Sequence, residues 1–347
     1  MDGLDAVRAE GGIPGEDGGS GGHPDAVAAA ATLGDRARWD FAVLVPALDE
    51  AEVIMDTVRE LRAAFDRYDL HGAVVVVDDG SSDGTARRAR EAGEGWEALT
   101  VVEHGANRGK TEALLTAAAH TDRDVLVVFD ADLQHLPDEI PRFLARIQEG
   151  WDVVTGRKVG AYDKRAVSSV YNALSRRIFN VPVSDLNSMK AFRRDALEGL
   201  HLRHDWHRFF VVLAHARGSS VTEIDVELLP RRAGVSKYQG PFRVVLGFLD
   251  LLSVWFLLWF SRKPLLLFGS AGGVMVGLGL VVGAVAFWLR FVMGLGFRPL
   301  LYLVIVLETV GFLLLGFGLV AEMIAQLREE TEALRRDLAR LGGGGAT

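Results

Sequence analysis

The run Val125-Leu126-Val127-Val128-Phe129-Asp130-Ala131-Asp132-Leu133-Gln134-His135 begins as a continuous apolar, β-branched segment and ends abruptly in acids. Such a run predicts a buried strand whose carboxyl end opens into the crevice where open α/β sheets bind ligands. Asp130 and Asp132 flank one small residue, so a turn at the strand end can aim both carboxylates at one hard cation. Gln134 offers a further oxygen, and a cation so held can hold a diphosphate. The same acids also suit the start of a helix at Pro137, Asp138 and Glu139, and the run alone leaves both readings open.

Outward from this run, the pattern repeats. Phe41 to Pro46 reads as a strand, and Ala51 to Tyr68 as a helix with Val53, Ile54, Val58, Leu61, Ala64 and Phe65 on one face. Ala73 to Val77 is a second apolar strand that runs into the polar turn Asp78-Asp79-Gly80-Ser81-Ser82-Asp83-Gly84-Thr85. Leu99 to Glu103 predicts a third strand, followed by Asn107-Arg108-Gly109-Lys110 and a helix from Thr111 to His120. Trp151 to Thr155 leads as a fifth strand into Gly156-Arg157-Lys158, and Val221 to Leu229 is a late strand. Alternating strands and helices predict an α/β fold with a largely parallel sheet covered on both faces. No G-x-G-x-x-G follows the first strand and no G-x-x-x-x-G-K-[ST] occurs, so a nucleotide must be held by other means.

A formal charge of −8 argues against a nucleic-acid partner, because a phosphate-tracking surface needs a basic excess. The chain has no cysteine, which excludes disulfides, zinc thiolates, iron-sulfur clusters and a cysteine nucleophile. Residues 1–38 are rich in Gly, Ala and Asp and predict a disordered tail. Residues 165–217 read as mostly helical, with Arg165 and Ser169 one turn apart in a geometry that suits a phosphate or simply a solvated face. His204-Asp205-Trp206-His207 offers two imidazoles and a carboxylate for a structural or acceptor-side role, and Arg231 to Tyr238 is a flexible basic loop.

The mean hydropathy of +0.19 beside 24% charged residues requires segregated apolar stretches. Residues 241–263 are apolar but interrupted by Arg243, Asp250 and Ser253, as in amphipathic helices at a bilayer surface. Two apolar segments within 264–326 are each long enough to cross a hydrocarbon core of about 30 Å, and their short link makes them a hairpin. Gly269, Gly273 and Gly277 form a small-residue stripe expected to allow close helix contact and self-association. Flanking Arg262, Lys263, Arg328, Arg335 and Arg336 place the polar domain on the cytoplasmic side. Residues 327–347 read as a charged amphipathic helix and a frayed end. Glu308, inside the second span, is expected to face protein.

On Val45-Pro46-Ala47-Leu48-Asp49-Glu50, Val77 to Thr85, Asp130 to His135 and the loop Arg231 to Lys237, the chain resembles family 2 glycosyltransferases of GT-A fold, similar to polyprenyl-phosphate and dolichyl-phosphate sugar synthases. The resemblance implies a GT-A domain over 39–240, a Rossmann-like, mostly parallel sheet, followed by the interfacial helices and the transmembrane hairpin. It implies that Pro46, Leu48, Glu50, Val77 and Asp79 hold the base and ribose of a nucleotide sugar, with Ala131 backing the nucleotide. Asp130, Asp132 and Gln134 then bind Mg²⁺ or Mn²⁺, Arg157, Arg231 and Lys237 clasp the phosphates, and Arg165 and Ser169 contact the acceptor phosphate. The expected activity is inverting, metal-dependent transfer of a sugar from a GDP-mannose or UDP-glucose type donor to dolichyl or undecaprenyl phosphate. Leu48 and Asp49 stand where relatives often carry an aromatic residue and Asn, and Asp185 to Phe192 replaces the commoner Ser-Gly-Phe form of the acceptor-side motif.

Two other classes share parts of this pattern. A processive polysaccharide synthase would carry a Q-x-x-R-W motif and more spans, neither of which is present. A non-catalytic nucleotide-sugar sensor would need neither both metal carboxylates nor the pair Arg165 and Ser169.

Overall fold

The computed structural model describes residues 23–159, 181–186, 188–198, 200, 206–229, 252–254, 256 and 264–343. The chain divides into two units, 1–238 and 239–347.

The first unit is built on seven strands: β1 (Phe41–Ala47), β2 (Ala73–Asp78), β3 (Leu99–Glu103), β4 (Val125–Val128), β5 (Val153–Val159), β6 (Lys190–Arg193) and β7 (Val221–Glu227). They form one sheet in the order β3-β2-β1-β4-β6-β5-β7. β3, β2, β1 and β4 pair in parallel, as do β5 and β7, whereas β6 is antiparallel to both its neighbours. The expected α/β fold with a mostly parallel sheet is therefore the observed one. β4 is buried along its whole length, which is why its sequence lacks the alternation of a half-exposed strand.

Helices α1 (Pro24–Thr32), α2 (Asp35–Trp39), α3 (Ile54–Tyr68), α4 (Thr85–Ala92), α5 (Lys110–Ala119) and α6 (Ile140–Gln148) precede or connect the first five strands. In α3, Ile54, Val58, Leu61 and Phe65 are buried at helical spacing, and in α6 Ile140, Phe143, Leu144 and Ile147 are. Each such large side chain contributes roughly 1.5–3 kcal/mol of apolar burial. Beyond β6 lie α7 (Arg194–Leu197) and α8 (Phe210–Ala216).

Two expectations need correction here. Residues 24–38, read as part of a disordered tail, form α1 and α2. Ala26 and Ala30, four residues apart, are buried, so a face of methyl groups packs where a tail was expected. The Gln148 side chain of α6 accepts from Gly34 N at 2.7 Å and donates to Thr32 O at 2.9 Å. Arg38 donates to Ala30 O at 2.7 Å and to Tyr68 O at 2.8 Å, and so ties together the last-turn carbonyls of two helices. Second, 165–217, read as mostly helical, contains the strand β6 in its described part. Met189 and Ala191 join the main core while Ser188, Lys190 and Phe192 fall on the opposite face, the period of a strand. Arg165 and Ser169 lie outside the described residues, as do Arg231, Lys237 and most of 241–263; Leu252 to Val254 and Phe256 are helical.

The second unit contains α9 (Pro264–Phe291) and α10 (Arg298–Gly343). The segments 264–291 and 298–327 are each long and apolar enough to cross a membrane, with mean hydropathies of 2.2 and 2.5. The charged helix expected within 327–347 is present through Gly343, as the continuation of α10 without a break. Of the expected stripe, Gly269 lies at the helix contact, its N 3.3 Å from where a Cβ on Gly318 would sit, but the tightest approaches come at other glycines. A Cβ on Gly272 would lie 2.6 Å from Gly311 O, and one on Gly279 would lie 2.6 Å from Glu308 Oε1. Gly273 and Gly277 have nothing within 4 Å of that position. Glu308 thus faces the other helix of the hairpin, as expected of an acid in an apolar span.

Candidate active site

The carboxyl ends of β1, β2 and β4 come together as adjacent strands, so their terminal acids share one edge of the sheet. Register places Pro46 opposite Val77, and Asp79 N donates to Ala47 O at 2.8 Å, extending the pairing past β2.

Asp78 and Asp79 divide the work of this edge. Asp78 accepts from Ser81 N at 2.9 Å and from Ala86 N at 3.1 Å, and so folds the turn that begins α4. Asp79, also buried, accepts from His104 Nδ1 at 2.7 Å, Arg108 N at 2.9 Å and Gly109 N at 2.7 Å. Its carboxylate therefore shapes the loop before α5. Gly80 has φ of +80°, and a Cβ there would sit 2.6 Å from the Ala106 carbonyl carbon, so the two loops meet at a position only glycine fills. The loop after β1 is tied to the same turn: Asp49 N donates to Ser81 Oγ at 2.7 Å, Glu50 N to Thr85 Oγ1 at 2.9 Å, and Ala51 N to Asp83 Oδ2 at 3.0 Å. Leu48 and Glu50 stand half-buried on it.

After β4 the chain turns sharply. Phe129 N still pairs with Leu44 O at 3.0 Å, and Thr57 Oγ1 of α3 donates to Ala131 O at 2.7 Å. Leu133 takes φ of +51° with its side chain fully buried, so burial of an isobutyl group holds a backbone form that costs about 1 kcal/mol or more. That turn lets Asp132 Oδ1 accept from Gln134 N at 3.3 Å. Asp130 projects outward and accepts from Lys110 Nζ at 2.5 Å. Burial alone would push the Asp130 carboxyl up, but the Lys110 charge and hydrogen bond outweigh it and hold it well below the usual carboxylate range. Five residues on, His135 is driven down to about 4 chiefly by burial and is neutral at physiological pH.

Asp130 and Lys110 line a pocket with Ser188, Lys190 and His207, walled by apolar residues that include Leu114, Leu115 and Phe210. His207 lies 3.2 Å, through Nδ1, from Thr111 Oγ1, which fixes its ring beside α5. Of these, Lys110 had no role in the sequence reading, whereas His207 was expected in a structural or acceptor-side role and Ser188 and Lys190 lay within the acceptor-side stretch Asp185 to Phe192 without a role of their own. The signal for Lys110 was its place directly after the loop that Asp79 shapes, and that for Ser188 and Lys190 was a five-residue alternation.

Arg157 does not line this pocket. It forms a fork with Asp225 at 2.5 and 2.8 Å and reaches Glu223 at 3.4 Å, half-exposed on one face of β5. Its neighbour Lys158 points to the other face, 3.6 Å from Asp185. Among the described residues no three His, Asp or Glu side chains gather as a metal cage. The donors present are nevertheless hard oxygens: an ionised carboxylate already balanced by an ammonium, a second carboxylate two residues on, and the Gln134 amide. This set fits an oxygen-preferring divalent cation that keeps open positions for water and phosphate.

A model of Glycosyl transferase family 2 matches residues 42–215. Dodecaprenyl-phosphate galacturonate synthase from Rhizobium johnstonii is 31% identical, over 83% of this chain and 88% of that one. Undecaprenyl-phosphate 4-deoxy-4-formamido-L-arabinose transferase from Pseudomonas fluorescens is 28% identical, over 85% of this chain and 87% of that one. Among solved structures, glucosyl-3-phosphoglycerate synthase from Mycobacterium tuberculosis, in complex with Mn²⁺, UDP-glucose and phosphoglyceric acid, superposes with a TM-score of 0.51 at 19% identity. That superposition covers 66% of this chain and 83% of the other, and it shows a shared fold.

Proposed function

Because the chain belongs to glycosyl transferase family 2, we propose that it transfers a sugar from a nucleoside diphosphate to a polyprenyl phosphate at a membrane, inverting the anomeric carbon. The observation that carries this reading is the extent of the likeness. Two relatives whose names specify a prenyl-phosphate acceptor align over 83% and 85% of the chain, well beyond the segment 42–215.

In this reading the loops after β1 and β2, with Pro46, Leu48, Glu50, Val77 and Asp79, receive the base and ribose. Asp79 acts there chiefly by holding the loop 107–109 in place. Asp130, Asp132 and Gln134 would hold Mg²⁺ or Mn²⁺, which supplies positive charge to a nucleoside diphosphate leaving group. Lys110 keeps Asp130 ionised and adds its own charge beside it. Arg231 and Lys237 are assigned to the phosphates, and Arg165 and Ser169 to the acceptor, on the motif positions they occupy. Arg157, engaged by Asp225 and Glu223, is left out of the clasp. The acceptor phosphate is ionised at neutral pH, so no side chain has to remove a proton from it. The hairpin keeps the enzyme at the bilayer where a polyprenyl chain partitions, with the flanking basic residues favouring a cytoplasmic catalytic unit. The outward Gly273 and Gly277 favour self-association of the spans.

The test is incubation of membranes carrying the chain with a panel of radiolabelled nucleotide sugars, followed by lipid extraction. Label in the lipid phase that rises with added polyprenyl phosphate supports the reading, and label confined to polymer or to water-soluble products refutes it. The anomeric configuration of the product, by NMR, tests inversion.

A further inference from the structure

The strand β6 runs against its neighbours, so it enters the sheet at the edge where the parallel strands leave it. Ser188 and Lys190 stand at that entry. Register pairs Lys190 with Val128 of β4 on one side and Thr155 of β5 on the other, which puts its side chain two residues short of Asp130 in the same part of the sheet. Both residues line the pocket that Asp130 and Lys110 line.

Each is a polar group with less than it needs. Lys190 is 4% exposed, and among the described residues its ammonium donates one hydrogen bond, to Leu186 O at 3.2 Å, and pairs with no carboxylate within ion-pair distance. Ser188 is 7% exposed, and its Oγ has no hydrogen-bond partner among the described residues. The neighbouring strand makes room for it: a Cβ on Gly156 would come 2.9 Å from Ser188 Oγ and 2.7 Å from Val226. A buried ammonium with unused donors, beside an unpaired hydroxyl, is costly unless an oxygen acceptor enters the pocket, and an anionic one also answers the charge. Burial, followed by the nearby Lys110 charge, lowers Lys190 to about 8, so it still carries its charge at neutral pH.

We propose that Ser188 and Lys190 form a subsite for an ionised oxygen group of a substrate, either a carboxylate on the transferred sugar or the phosphate of the acceptor, a reading that rests on the function proposed above. A carboxylate or phosphate oxygen there accepts from the ammonium and from the hydroxyl at once, while the apolar wall excludes competing water. Neutral sugars offer hydroxyl oxygens that accept a bond but leave the ammonium's charge uncompensated. The subsite therefore selects by charge where the metal site does not.

Binding of four probes to the purified full chain in detergent separates the sources: UDP-galacturonate against UDP-galactose, and undecaprenyl phosphate against undecaprenol. The wild type should prefer the anionic member of one pair by about tenfold or more. Lys190→Met should remove that preference, and Ser188→Ala should reduce it several-fold. Loss in the first pair assigns the sugar carboxylate, and loss in the second the acceptor phosphate. A folded Lys190→Met chain that keeps the wild-type ratio in both pairs overturns the proposal, as does a wild type with no preference in either. Weaker binding of UDP alone by Lys190→Met overturns it too, because the lysine would then hold the donor diphosphate. Failure of the wild type to bind any nucleotide or lipid in the panel is a different result, which sinks the proposed function and the subsite with it.

Discussion

Replacing Lys190 by Met should make the protein more stable at neutral pH. The residue is almost wholly buried, and burial lowers its ammonium from 10.5 to about 8. Between pH 8 and 10.5 the unfolded chain then binds a proton that the folded chain does not, so stability rises with pH across that window. Below pH 8 both states are protonated and the folded state carries the full penalty of a buried charge, about 3 kcal/mol. Met fills a similar volume without charge, and it gives up the bond to Leu186 O, worth about 1 kcal/mol. The expected net gain is about 2 kcal/mol at pH 7, shrinking as pH climbs from 8 to 10.5. The assay is unfolding of wild type and variant, purified in the same detergent, at a series of pH values from 6.5 to 10.5. The difference between them isolates Lys190, since every other ionisable group is common to both. A variant less stable than wild type at pH 7, or a difference that does not change with pH, would refute the reasoning and mean that the lysine is well solvated.

Three further outcomes are expected. Gly272→Ala should destabilise the hairpin by about 1–3 kcal/mol, because its Cβ would meet the Gly311 carbonyl, whereas Gly273→Ala should be neutral; unfolding in SDS ranks them, and the reverse order contradicts the observed seam. Transfer should stop in EDTA and return with Mg²⁺ or Mn²⁺, and Asp132→Asn should lower turnover by orders of magnitude, about tenfold per 1.4 kcal/mol of lost charge stabilisation. An Asp132→Asn enzyme fully active in EDTA would show that no metal works there. Arg157→Ala should cost about 1 kcal/mol or less in stability and leave the donor KM within about twofold, since it breaks a half-exposed pairing with Asp225. A tenfold rise in donor KM would return Arg157 to the phosphates.

What was legible in the sequence was whatever rests on long, uniform signals. Val125 to Val128 and Ala73 to Val77 are uninterrupted apolar runs, and their strands and terminal acids lie where the pattern puts them. Asp79 was visible as a strand-end acid, but its use of His104 and of the amides of Arg108 and Gly109 depends on contacts some 25 to 30 residues away. β6 was hidden because its alternation spans five residues among arginines. α1 was hidden because alanines bury well while carrying little hydrophobic signal. In the hairpin, Gly269 of the one-turn stripe Gly269, Gly273 and Gly277 lies at the contact, yet the helices meet most tightly along Gly272 and Gly279, two turns apart. Spacing names a face of a helix, and only the partner decides which face is used.

The unbroken course of α10 has a mechanical consequence. Its 46 residues make a rod of about 69 Å, of which the apolar stretch of 30 residues takes about 45 Å. The remaining third is a stiff arm continuous with the span rather than a tether hung from it. Any change in the angle of the span to the bilayer normal is therefore transmitted along the arm, and a 10° tilt carries the far end of the rod about 12 Å sideways. A spectroscopic label near residue 340 would act as the pointer of a gauge, reporting bilayer thickness as a displacement large enough to measure.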